Sequence, residues 1–472
     1  MGSGKVTDWQ GKHVTVAGLG VSGIPAAKAL HARGAIVTAV NDGDDARARE
    51  QAAELEALGI TVRLGDGATL PEGTELVVTA PGWKPDKPLF AAARAAGLEI
   101  WGDVELAWRL RGPDAAPWLA ITGTNGKTTT TQMLASILKA AGLRTAAVGN
   151  IGVSLLDAVL GDEQYDVLAV ELSSYQLHWA PSLRAHSAAV LNLAPDHLDW
   201  HGSMEAYAAD KGRIYEGNRV ACVYNVADKA TEDLVREADV EEGCRAIGFT
   251  LGAPGPSQLG VVDGILVDRA FVENRHKNAQ ELAEISDVNP PAPHNIANAL
   301  AAAALARAFG VPPKAVRDGL RAFTPDAHRI AHVADVDGVA YVDDSKATNT
   351  HAAEASLAAY ESIVWIAGGL AKGASFDELV VKSAKRLRAV VLIGADRALI
   401  REALARHAPE VPVVDLDRTD TGAMLQAVTE AKRLARPGDT VLLAPACASM
   451  DMFTNYNKRG DAFAEAVREL GS

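Results

Sequence analysis

The stretch "ITGTNGKTTT", residues 121–130, places Gly123, Thr124, Asn125, Gly126, Lys127, Thr128 and Thr129 between the apolar run "WLAI" and the helix-forming "TTTQMLASILKAAG". A glycine turn followed by a lysine and a hydroxyl at a helix start suits a polyphosphate. Inward N–H groups cradle phosphate oxygens, Lys127 supplies a point charge, and Thr128 can hold Mg²⁺. The usual pattern, G-x-x-x-x-G-K-[ST], asks for glycine where Ile121 stands, so this loop is a shorter variant. A second loop, "GLGVSG", runs through Gly18, Leu19, Gly20, Val21, Ser22 and Gly23 after the run "HVTVA". Gly20 lets backbone approach a diphosphate, and Asp42, at the end of the next strand, can accept hydrogen bonds from a ribose or base. By itself this second loop fits NAD, another diphosphate-containing nucleotide, or a tight turn without ligand.

Further candidates lie downstream. Glu171 closes the buried-looking run in "DVLAVELSSYQL", where a carboxylate beside a phosphate loop can ligand Mg²⁺ or open a helix. His197 and Lys211 share the phrase "VLNLAPDHLDWHGSMEAYAADKGRIYE". A lone histidine or helix lysine is ordinarily structural or solvated, so their meaning depends on context. Cys222, Cys244 and Cys447 are an odd number, far apart in sequence, and fit neither a disulfide framework nor a zinc site.

These residues need elements to position them. The chain repeats an apolar strand, a turn and an amphipathic helix, which predicts parallel sheets covered by helices. Its 472 residues exceed one ordinary core. Breaks at "RGPDAAPW" and "FTPDAHRI" divide it into 1–112, 113–324 and 325–472. The expected fold is α/β in three domains: a Rossmann-like N-terminal domain, a central P-loop ATPase-like domain with a mostly parallel sheet, and a Rossmann-like C-terminal domain. Residues 241–293 read as less regular, rich in glycine and proline.

Composition narrows the function. With 60 acidic and 46 basic residues the net charge is −14 and no basic stripe is visible, which argues against nucleic acid. No apolar run is long enough to span a bilayer, and the opening "MGSGKVTDWQ" lacks a signal-peptide core. A reduced cytoplasmic protein is expected.

The short loop "TGTNGKTT" resembles that of the Mur ligases and folylpolyglutamate synthases, ATP-dependent enzymes that form amide bonds. The resemblance runs in order from about Lys12 to Ala464. It implies that Glu171, His197, Thr128 and a carbamylated Lys211 hold metal, two Mg²⁺ ions being expected beside ATP, and that Lys127, His197 and Lys211 are catalytic. "APHNIANAL" and "DAHRI" would supply ATP contacts at Asn298 and Arg329, and "DDSKATNT" would supply Asp344 and Lys346. Thr348, Lys372 in "GGLAKG", and Ser449 and Tyr456 in "LLAPACASMDMFTNYNKRG" would bind D-glutamate. Gly18–Gly23, Asp42 and Asn150 would bind the UDP part of UDP-N-acetylmuramoyl-L-alanine, and a monomer is expected. Leu370 stands where many relatives carry an acid. The rival readings are an NAD-dependent dehydrogenase, which rests on "GLGVSG" and Asp42 and leaves the loop at 121–130 unexplained, and a nucleotide-binding regulatory module without turnover. Folylpolyglutamate synthase is the alternative within the ligases and lacks the N-terminal glycine-loop domain.

Overall fold

A computed structural model describes residues 8–470. Three sheets carry the chain. The first holds β1 (His13–Ala17), β2 (Ile36–Asn41), β3 (Thr61–Leu64), β4 (Leu76–Thr79) and β5 (Glu99–Gly102), in the order β3-β2-β1-β4-β5. All its pairings are parallel. The order reverses between β1 and β4, and ligands of open parallel sheets sit in the crevice at such a reversal. "GLGVSG" leaves the end of β1, on that crevice.

The second sheet holds β6 (Trp118–Thr122), β7 (Ala147–Gly149), β8 (Leu168–Glu171), β9 (Ser187–Val190), β10 (Ala221–Asn225), β11 (Arg245–Phe249), β12 (Gln258–Val262), β13 (Ile265–Asp268) and β14 (Gln280–Glu284). Its order is β14-β13-β12-β11-β10-β9-β6-β8-β7. β6, β8 and β9 are buried along their whole length, as strands covered on both faces must be. The stretch expected to be less regular instead extends this sheet through β11 to β14. β12 and β13 form an antiparallel hairpin across Asp263-Gly264, both at positive φ (49° and 79°). That is the backbone a two-residue hairpin turn requires, and Asp-Gly is its favoured sequence.

The third sheet holds β15 (Ala331–Val336), β16 (Val339–Asp343), β17 (Ile363–Gly368), β18 (Leu387–Ile393), β19 (Val413–Asp415) and β20 (Thr440–Leu443), in the order β15-β16-β20-β17-β18-β19. Only the β15–β16 pairing is antiparallel. The chain forms two compact units. One runs up to Asp287 and includes Ala297–Ala322; the other holds Val288–Ile296 and the chain from Phe323 on. The first two sheets belong to the first unit and the third sheet to the second. Among the described residues no helix is long and apolar enough to cross a membrane. Cys222 and Cys244 are neighbours in space although distant in sequence, with Sγ atoms 3.9 Å apart, both thiols free.

Candidate active site

The loop after β6 turns through Gly123 (φ 151°) and Gly126 (φ 82°) into the helix Lys127–Ala140. A side chain at Gly126 would be strained by the left-handed backbone, and its Cβ would lie 2.4 Å from Asn298 Oδ1. Asn298 is therefore pressed against the loop. Asn192, beyond β9, braces the other side: its Oδ1 accepts from Asn125 N at 2.9 Å and its Nδ2 donates to Asn125 O at 3.1 Å. Thr124 Oγ1 accepts from Ala194 N at 3.0 Å and lies 2.9 Å from Tyr207 OH. Lys127 reaches back over the turn and donates to the carbonyls of Gly123 (2.9 Å) and Thr124 (2.8 Å). Thr128 and Thr129 follow it in the first helical turn.

Glu171 ends β8 directly beside Ile121. It is buried; Asn150 donates to Oε1 at 2.9 Å, while Oε2 has no hydrogen-bond partner. A buried carboxylate oxygen left without a donor is costly unless a cation or water meets it. Asn150, expected at the UDP substrate, is thus placed on Glu171, bonded through both its side chain and its backbone N–H. Lys211 is buried too, and its Nζ donates to Gly123 O (2.8 Å) and Thr122 Oγ1 (3.3 Å), a carbonyl and a hydroxyl with no carboxylate among them. Burial, then the nearby charge of Lys127, pushes the Lys211 amine well below the ordinary lysine range. His197 sits at positive φ (54°) just before the short helix Leu198–His201, with its ring 4.9 Å from that of Tyr175. Burial lowers its affinity for a proton, and Lys127 and Lys211 add to this against the pull of Asp196.

The described residues hold no group of three or more His, Cys, Asp or Glu suited to a metal. The donor set is instead one orphaned carboxylate oxygen, one imidazole that favours its neutral form, and hydroxyls in the phosphate loop. These are oxygen-rich ligands of the kind Mg²⁺ takes alongside phosphate oxygens, so the residues fit that ion.

A network that sequence reading missed holds these parts in register. Asp210, adjacent to Lys211, accepts Nδ1–H from both His178 and His201 at 2.9 Å. Burial works to raise the Asp210 carboxyl, but these two hydrogen bonds draw it down to about 2. His201 Nε2 in turn lies 3.0 Å from Ser174 Oγ, within hydrogen-bond distance. Three short elements meet here: the helix Ser174–His178 after Glu171, the helix Leu198–His201 after His197, and the helix Met204–Gly212 that carries Lys211.

At the first glycine loop, a Cβ on Gly23 would lie 1.8 Å from Gly18 O, so only glycine fits there. Leu19 N donates to Asn41 Oδ1 at 3.2 Å, and Ser22 Oγ donates to Asp103 at 2.9 Å. Gly20 has open space where a Cβ would stand, and Val21 is exposed. Asp42 is paired with Lys87 at 2.5 Å, a partner sequence reading did not find.

In the second unit, three adjacent strand ends carry the remaining candidates. Asp344, Lys346 and Thr348 follow β16, Ser449 follows β20, and Lys372 follows β17. Leu370 and Ala448 exchange both backbone hydrogen bonds at 2.9 Å and so tie the Lys372 and Ser449 loops together. Lys372 is exposed with φ 50°, and Ser449 is buried. Lys346 Nζ lies 4.0 Å from the centre of the Tyr456 ring, and Ser345 Oγ donates to Tyr456 O at 2.7 Å. Asp344 is buried, accepts from Ser356 Oγ and Ile330 N, and is pushed up to about 6 by burial. It anchors the turn that presents Arg329, which lies between two residues at positive φ, His328 (65°) and Ile330 (47°). Cys447 is buried, and burial pushes its thiol up to about 12, which leaves it a packed residue without nucleophilic character.

His328 Nδ1 donates to Asp343 at 2.6 Å, and that bond raises the imidazole above its ordinary range, with Asp461 adding to it. A group whose folded pKa is raised stabilises the fold below its unfolded pKa and loses that contribution as pH rises through the folded pKa. Thermal unfolding of wild type and His328→Gln should therefore differ most near about pH 6 and converge toward about pH 9. A gap that widens with pH would contradict this.

Comparison with known families follows the same map. Residues 121–306 match the Mur ligase middle domain, and residues 328–447 match the domain described as "Mur ligase, glutamate ligase domain". The chain is 88% identical to UDP-N-acetylmuramoylalanine--D-glutamate ligase of Streptomyces avermitilis, over 99% of this chain and 100% of the relative. It is 60% identical to the protein of that name from Thermobifida fusca, over 98% and 99%. The fold resembles that of MurF ligase from Thermotoga maritima in complex with ADP (TM-score 0.56, 15% identity, 99% and 97% covered).

Proposed function

We infer that the chain, which belongs to the Mur ligase family, is an ATP-dependent ligase that joins D-glutamate to UDP-N-acetylmuramoyl-L-alanine in peptidoglycan precursor synthesis. The observation that carries the chemistry is the meeting of Lys127 and Lys211 at the Gly123 carbonyl of the phosphate loop, with the unpartnered Glu171 oxygen at the end of the neighbouring strand. Residues 1–112 bind the UDP substrate, 113–324 bind ATP, and 325–472 bind the amino acid. We take the enzyme to work as a monomer in the cytoplasm.

A carboxylate is too poor an electrophile for an amine to attack. ATP therefore passes its γ-phosphoryl group to the L-alanyl carboxylate, which gives an acyl phosphate and ADP. The D-glutamate amine attacks the acyl carbon, loses a proton, and expels inorganic phosphate to leave the amide. Repulsion between two anions is the obstacle in the first step. Lys127 and the N–H groups of the Gly123–Thr129 turn meet it with fixed positive charge and dipoles. Asn298, Arg329, Asp344 and Lys346 hold the rest of ATP. Glu171, His197, Thr128 and Lys211 as its carbamate would hold Mg²⁺. When bound, that ion neutralises charge on the transferring phosphoryl group. Thr348, Lys372, Ser449 and Tyr456 orient D-glutamate, with Lys372 supplying the charge for a carboxylate. Gly18–Gly23 and Asp42 hold the UDP moiety.

The test is phosphate release from ATP with UDP-N-acetylmuramoyl-L-alanine and single amino acids. Release should require both the UDP substrate and D-glutamate. Release that ignores D-glutamate but responds to a reduced folate would sink the assignment.

A further inference from the structure

The crevice between β1 and β4 is lined on its second side by a residue that no glycine-loop pattern includes. Trp83 follows β4, and its indole spans the site lengthwise. A Cβ built on Gly18, the first glycine of the loop, would lie 2.8 Å from Trp83 Nε1. A Cβ built on Gly67 would lie 2.9 Å from the far end of the ring, Cη2, and 1.9 Å from Asp42 Oδ1. The ring therefore runs from the diphosphate turn to the acid at the sugar end, the two points between which a nucleotide lies in such a fold. It packs edge-on with Phe90, a buried ring 6.0 Å away at 65°. Lys87 ties the acid to the ring. Its Nζ pairs with Asp42 and stands 4.7 Å from the centre of the Trp83 ring.

We propose that Trp83 and Lys87 form a binding wall for the nucleoside diphosphate of the UDP substrate. The proposal rests on the reading of Gly18–Gly23 as the diphosphate cradle. Trp83 supplies a rigid aromatic edge with an N–H donor at the phosphate end. Lys87 offsets the Asp42 charge, which would otherwise repel an incoming diphosphate, and leaves the carboxylate able to accept from the ribose or base. An aromatic surface favours every base alike, so the pair contributes affinity and not selectivity for uracil.

Titration calorimetry of the full chain with UDP, alongside steady-state kinetics with all three substrates, tests this. Trp83→Ala and Lys87→Met should each weaken UDP binding and raise KM for the UDP substrate about tenfold. Trp83→Phe should recover most of the binding. KM for ATP and kcat should stay within about twofold of wild type, which also reports an intact fold. Lys87 is partly exposed, so Lys87→Met carries the test if Trp83→Ala does not fold. UDP binding unchanged in both Lys87→Met and the folded Trp83 variant overturns the proposal. Wild-type protein that turns over its substrates yet binds no UDP overturns the premise instead, and with it the proposal.

Discussion

Lys211→Ala will lower ligase turnover by about two orders of magnitude or more, and short carboxylates such as acetate or formate will restore part of it. The argument starts from a lysine placed where an ammonium is least comfortable. Lys211 is buried, its partners are a carbonyl and a hydroxyl, and Lys127 lies close enough to repel its charge. Burial first, then the Lys127 charge, push the amine toward its neutral form against the pull of Asp196 and Glu171, and the neutral amine is the nucleophile that adds to CO₂ with loss of one proton. The carbamate reverses the electrostatics. An anion in that position faces Lys127 favourably and supplies an oxygen ligand beside Glu171. Alanine removes both the amine and the carbamate and leaves room for a small carboxylate. Thermal unfolding and phosphate-release assays of the variant, with and without added carboxylate, measure the effect. A folded, inactive Lys211→Ala that no carboxylate restores would remove the carbamate from the proposal and leave the ligase assignment standing.

What made this site readable in advance was local. A glycine pair, a lysine and a hydroxyl between an apolar run and a helix specify a phosphate cradle through backbone geometry alone, and Gly126 at φ 82° is the residue that geometry demands. Glu171 was legible for a related reason: strand ends in parallel sheets point at the ligand crevice. The hairpin at Asp263-Gly264 was equally local and was passed over, although Asp-Gly between two apolar runs is a strong turn signal, because the surrounding glycines and prolines suggested irregularity.

Residues missed, or read in another role as Asn150 was, share another property: their place becomes visible only when distant segments meet. Asp210 looks like an ordinary surface acid on a helix until His178 and His201 converge on it from two other helices. Lys87 looks like a solvated lysine until the chain folds it onto Asp42. Asn150 sits at a glycine turn in sequence, and only the β7–β8 pairing puts it on Glu171. Sequence periodicity reports which face of an element is apolar; it carries no information about which polar side chain waits on the facing element. The three helices tied through Asp210 show the consequence. Glu171, His197 and Lys211 come from separate stretches, and their relative placement depends on a network whose members have no motif of their own.

Lys127→Ala is expected to reduce turnover by about 10³-fold with little change in the thermal midpoint. Its ammonium donates to the Gly123 and Thr124 carbonyls, groups at the edge of a turn already fixed by Asn192, Ala194 and the start of the helix. Loss of the side chain therefore leaves the loop standing and takes away its one fixed positive charge. That charge matters most while negative charge shifts between ATP and the acceptor carboxylate, so kcat should fall more than KM for ATP rises. Lys127→Arg should not restore the rate. A planar guanidinium presents its donors in a fixed fork, and a turn this short accommodates a compact ammonium that can rotate among carbonyl and phosphate oxygens. Steady-state and single-turnover phosphate release on both variants decide the matter. A Lys127→Ala enzyme that keeps more than about a tenth of wild-type turnover would show that the loop's N–H groups suffice. It would move the main electrostatic burden of phosphoryl transfer to the residues around Glu171.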